Sequence, residues 1–144
     1  RSVWISAERG FDAGDPLEVR YTLLGHFLES GDTARAGAVI ARFPDDESPV
    51  MCWAKVLHQF RRGDYAAARE EREYAMTLNH WVEEYLTGRW KYDARHRPVM
   101  YITHSPGEAL LVLHYLWDAW QAYPEAIQWL KKGAKPPKAK KSRK

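Results

Sequence analysis

Arg62-Gly63-Asp64-Tyr65-Ala66-Ala67-Ala68, set beside Ser30-Gly31-Asp32-Thr33-Ala34-Arg35-Ala36, decides the fold of this 144-residue chain. The two Gly-Asp pairs are 32 residues apart, and each leads into an alanine-rich helical stretch. Glycine supplies the left-handed residue that ends a helix, and aspartate caps the next one. Recurrence at that interval predicts a repeated helical hairpin.

Working outward, each Gly-Asp pair is preceded by an amphipathic helix. Asp15-Pro16 offers a capping acid and then a proline at the first turn, where no amide is needed. Leu17, Tyr21, Leu24 and Leu28 follow as one apolar stripe. After Asp32, a shorter helix has Ala36, Val39, Ile40 and Phe43 on its inner face, ending at Pro44-Asp45-Asp46. Ser48-Pro49 restarts the pattern, and Trp53, Val56, Leu57 and Phe60 line the third helix. The fourth carries Tyr65, Ala68, Ala75 and Leu78 on one side. Arg69-Glu70-Glu71-Arg72-Glu73 reads as a solvated charged face. Ser105-Pro106 opens a third hairpin, with Leu110, Leu113, Leu116, Trp117 and Trp120 along its first helix. Tyr123-Pro124 begins a closing helix with Ile127, Trp129 and Leu130, stopped by Gly133. Trp4 and Phe11 have no clear period and are expected to tuck onto the first helix or to meet something upstream. Residues 88–105 read as a loop containing a short extended run, Val99–Ile102.

Gly63-Asp64-Tyr65, Ala68, Ala75 and Leu78-Asn79, with the 32-residue spacing, resemble the tetratricopeptide repeat, a helix-turn-helix unit that stacks into a superhelix. In the stretch 79–130, Asn79-His80-Trp81-Val82-Glu83-Glu84-Tyr85-Leu86 and the helices from Gly107-Glu108-Ala109 and Glu125-Ala126 resemble the suppressor of tumorigenicity seven family and its bacterial look-alikes. These resemblances imply tandem helical hairpins and supply no known catalytic residue to carry over; no cofactor is expected. The expectation is an all-α domain over residues 1–132, with about three stacked antiparallel hairpins, roughly seven helices, in a right-handed superhelix. Residues 133–144 are expected to form a disordered Lys-rich tail.

The charge divides the same way. The net charge is +3, but the last 14 residues carry eight basic groups and no acid, leaving 14 basic and all 19 acidic groups in the body. A mildly acidic body argues against a general nucleic-acid binder. The tail residues Lys135, Lys138, Lys140, Lys141, Arg143 and Lys144 are the candidates for contact with nucleic acid or an acidic partner, or else a solubilising extension. No apolar run approaches the ~18–20 residues that span a bilayer. A single cysteine, Cys52, fits a cytoplasmic or otherwise intracellular setting. The chain opens on Arg1 rather than methionine, which fits either a fragment or a processed form.

No constellation points to chemistry. The six histidines have no zinc spacing, and Cys52 has no thiolate pair. His26 and His58, 32 apart, read as equivalent places in the two repeats, packed or half-exposed. Cys52, beside Trp53, reads as a small core filler. Repeats of this kind bind other proteins, so a non-enzymatic interaction module is expected, taking a partner peptide or helix in its concave groove. The expected contact residues are Arg20, Lys55, Gln59 and Arg62, with Arg89, Trp90, Tyr92 and Arg97 in a basic-aromatic loop suited to interface anchoring or base stacking. The alternative is a nucleic-acid-associated accessory protein using that loop and the tail.

Overall fold

A computed structural model describes residues 16–93 and 102–135. Seven α-helices and no strand occur among the described residues: α1 Pro16–Ser30, α2 Thr33–Arg42, α3 Pro49–Arg61, α4 Tyr65–Leu78, α5 Trp81–Leu86, α6 Pro106–Gln121 and α7 Pro124–Lys131. The chain is all-α, as its periodicity predicts. Trp4, Phe11, Asp15 and residues 99–101 of the expected extended run lie outside the described residues.

The two Gly-Asp turns are built alike. Gly31 and Gly63 have φ of 81° and 82°, a region that costs other residues a clash at Cβ. Asp32 N donates to Phe27 O at 2.9 Å, and Asp64 N donates to Gln59 O at 3.0 Å, which satisfies a carbonyl of the closing helix. The aspartate side chains then accept from Arg35 N at 3.0 Å and Ala67 N at 3.1 Å, capping the next helix. A turn this short sends the chain straight back, so α1–α2 and α3–α4 are antiparallel pairs. The hydroxyl-proline starts also hold: Ser48 Oγ caps α3 through Met51 N, and Ser105 Oγ caps α6 through Glu108 N.

The connections between hairpins carry buried polar hubs. Asp46 accepts from Arg20 Nη1 at 2.7 Å, Tyr21 Oη at 2.8 Å and Ser48 N at 3.0 Å. Asn79 donates from Nδ2 to Ser105 O at 2.9 Å and Glu108 Oε1 at 3.0 Å, and its Oδ1 accepts from Trp81 N. Its carbonyl accepts from Trp53 Nε1 at 3.1 Å. Tyr21 and Trp53 occupy matching places in α1 and α3, so the same aromatic position holds the linker that follows each hairpin. A buried carboxylate or amide is costly unless its lone pairs and protons are met, and here they are. Burial, reinforced by the Asp46 charge, pushes the Tyr21 phenol well above its ordinary pKa.

Packing converges on α6, which lies against α1, α3 and α5, while α7 folds back on α6. Trp53 meets Trp120 edge-on at 6.4 Å between ring centroids, Tyr21 meets Tyr115 at 5.5 Å, and Phe60 meets Trp129 at 5.2 Å. Gly25 is a point of close approach between α1 and α6: a methyl group there would lie 2.4 Å from the Tyr115 carbonyl oxygen. Ala36, Ala68 and Ala75 are fully buried on α2 and α4, small side chains that let helices come close.

Three sequence expectations need correction or refinement. Arg72 does not belong to a solvated face. It forms a two-pronged ion pair with Glu83 of α5, Nε to Oε1 at 2.6 Å and Nη2 to Oε2 at 2.8 Å, whereas Arg69–Glu73 in the same run is a surface pair. His26 is exposed whereas His58 is 6% exposed, so their environments are not equivalent. Packing also continues past α7: Ala134 is buried, and its N–H donates to Trp129 O. Cys52 is buried, and burial pushes its thiol up to about 12, which keeps it protonated and inert.

Candidate protein-binding surfaces

The residues expected to meet a partner fall in separate places. Arg20 is committed within the fold: it pairs with Asp46, and its guanidinium lies 3.4 Å over the Phe43 ring. Lys55 is half-buried on α3. Gln59 and Arg62 do come together, Arg62 Nη1 donating to Gln59 Oε1 at 2.9 Å. They line a cleft of about 500 Å³ between α2 and α3 with Thr33, Gly37, Ile40 and His58. In the basic-aromatic loop, Trp90 stacks on Trp81 at 4.4 Å and Tyr92 on Trp117 at 4.3 Å, so its rings pack back on α5 and α6. Arg89 pairs with Glu84 at 3.3 Å, and Trp90 keeps 40% of its surface exposed. Lys135 is exposed; Arg97, Lys138, Lys140, Lys141, Arg143 and Lys144 lie outside the described residues. The trough that α1, α3 and α5 would frame together is filled by α6.

Among the described residues, no three His, Cys, Asp or Glu side chains converge as a metal site would need. Among the described residues His58 is the one buried histidine, its Nδ1 without a hydrogen-bond partner and its Nε2 pressed toward Gly37 of α2. Burial first, and then the nearby Arg62 charge, lower its pKa below the ordinary 6.5. The neutral ring therefore suits the fold, and its contribution is complete above the unfolded value. It is lost as pH falls from about 6.5 through the lower folded value. Thermal unfolding at pH 7.5 and pH 5.0 should show a larger drop for the native chain than for His58→Gln. Equal drops would mean that His58 titrates alike in both states.

The surface that sequence reasoning missed lies between α1 and α2. The buried stripe of α1 includes Tyr21, Leu24 and Leu28. On the far side of the same helix, Val19, Leu23 and Phe27 recur every four residues and form a second stripe. With Ala38 and Val39 of α2 and with Phe43, they floor a groove of about 390 Å³ whose only charged lining groups are Arg20, Arg35 and Arg42. Val19 and Leu23 remain 47% and 42% exposed. Arg35 has a loose pairing with Asp32 at 3.7 Å, and Arg42 makes no ion pair among the described residues. An apolar floor with a cationic rim can take an amphipathic segment, with apolar contacts supplying affinity and the arginines supplying orientation.

No helix among the described residues is long and apolar enough to cross a membrane. Comparison of the chain with protein-family models, curated proteins and solved structures gives no match.

Proposed function

We propose that this protein is a non-catalytic interaction module, a stack of helical hairpins of the tetratricopeptide kind, that binds another protein through the outward face of its first hairpin. The observation that carries this reading is the half-exposed pair Val19 and Leu23 in a groove with a cationic rim. A solvated helix face ordinarily presents polar side chains, and a contiguous apolar strip rimmed by charge marks an interaction surface. The Gly-Asp hairpins and buried alanines support the same reading, because each hairpin of such an array leaves an apolar face for a neighbour to cover.

Panning an unbiased displayed peptide library against the full chain tests it. Enriched peptides should lose binding to Leu23→Asp. A library that enriches nothing, or only peptides indifferent to that substitution, contradicts it.

A second reading rests on exposed Lys131, Lys132 and Lys135 at the end of α7, which lead into the remaining basic residues of the sequence. On this reading the tail contacts nucleic-acid phosphates. Binding to random duplex DNA should then fall steeply between low and moderate salt, and should vanish when residues 133–144 are removed. Salt-insensitive binding, or binding that survives the truncation, excludes it.

A further inference from the structure

We infer that the α1–α2 groove receives an acidic amphipathic α-helix from another protein. This rests on the interaction-module reading and names the chemistry of its partner. The repeat itself bears on the shape of the missing occupant. Adding the 32-residue interval to Val19, Leu23 and Phe27 gives Met51, Lys55 and Gln59 on α3. Met51 is fully buried, Lys55 and Gln59 are half-buried, and Gln59 faces α2 across the cleft lined by Thr33, Gly37 and Ile40. In the second hairpin, therefore, the position that matches Phe27 lies beside a helix of the preceding hairpin. In the first hairpin the same positions are all apolar, and two of them, Val19 and Leu23, are open to solvent. The place beside Phe27 is thus one that a helix borders one repeat later.

Arg35 and Arg42 stand exposed on α2, and no carboxylate lines the groove. A helix entering there meets cations only, so acids flanking its apolar stripe are favoured and lysines are repelled. The same sign argues against a head-to-tail second copy, because the opposite end of the chain presents Lys131, Lys132 and Lys135. Val19 to Phe27 covers about 12 Å of helix at the ordinary rise, enough to seat anchors spaced i, i+4 and i+7.

The test uses the full chain and two designed peptides of about 16 residues, each with leucines at i, i+4 and i+7, one flanked by glutamates and the other by lysines in the same places. Fluorescence anisotropy should show the glutamate peptide binding roughly tenfold or more tightly than the lysine peptide. Leu23→Asp should abolish binding, and paired Arg35→Glu and Arg42→Glu changes should reverse the preference. The thermal midpoint of Leu23→Asp should stay within about 2 °C of the native chain, because the groove is open before the partner arrives. Equal binding of both peptides, still lost in Leu23→Asp, overturns the acidic preference and leaves the interaction reading standing. Failure of both peptides to bind overturns the inference. A large fall in the Leu23→Asp midpoint overturns it by showing that the chain fills its own groove. Self-association that Leu23→Asp abolishes makes the occupant a second copy and also overturns it.

Discussion

Trp53→Ala is expected to cost about 3–5 kcal/mol, the range for emptying a large aromatic site in a core. The indole is fully buried, meets Trp120 edge-on, and donates to the carbonyl of Asn79. One substitution thus removes contacts between α3 and α6 and one hydrogen bond holding the linker into α5. Domains of this size are stable by roughly 5–15 kcal/mol, so the variant should sit near or beyond its unfolding midpoint at 37 °C. Urea unfolding followed by far-ultraviolet circular dichroism gives the answer. Trp53→Phe keeps most of the packing and loses the hydrogen bond, worth about 1 kcal/mol, so it should fall between the two. A Trp53→Ala loss below about 1 kcal/mol would place the core elsewhere.

Gly25→Ala is expected to destabilise the chain by about 1–3 kcal/mol, the usual cost of overpacking. Its sign carries the information. In an exposed helix, alanine is better than glycine by about 0.8–1.0 kcal/mol, so helix propensity alone predicts a gain. Here the added methyl would lie 2.4 Å from the Tyr115 carbonyl oxygen, a backbone atom that cannot swing aside. α1 and α6 must separate, which loosens the Tyr21–Tyr115 contact in the same seam. Denaturant midpoints of the native chain and the variant decide it. An unchanged or raised midpoint would mean that α1 and α6 do not cross at Gly25.

The hairpins were legible because their signals are local and periodic. Tyr21, Leu24 and Leu28, and Val56, Leu57 and Phe60, follow helical spacing, and all are buried. Gly31-Asp32 and Gly63-Asp64 act through atoms within a few residues of themselves. What escaped was non-local. Asp46 and Asn79 gather partners 25–29 residues away along the chain, and no spacing rule reveals such a pairing. Asp46 looks, in sequence, like one more turn acid. Arg72 sits in an alternating charge run yet reaches eleven residues on to Glu83. The close contact at Gly25 left only a glycine inside a helix, a weak mark.

The candidate site was less legible than the fold. Basic residues on α1 and α3 suggested partner contact, but Arg20 is spent on Asp46 and Phe43. Trp90 and Tyr92 looked like anchors, and each also stacks on a ring of the fold. The groove on α1 did have a signal, the four-residue recurrence of Val19, Leu23 and Phe27. The stronger stripe on the same helix masked it, since a helix apolar on two faces reads simply as a buried one.

The measurement that bears most directly on the central claim is backbone amide chemical-shift mapping of the full chain titrated with the glutamate-flanked peptide. The account predicts that the largest shifts fall on Val19, Leu23, Phe27, Arg35, Val39 and Arg42, with α5 to α7 nearly unmoved. Shifts centred on Arg89 to Tyr92 or on the lysines after α7, with α1 and α2 silent, would contradict it.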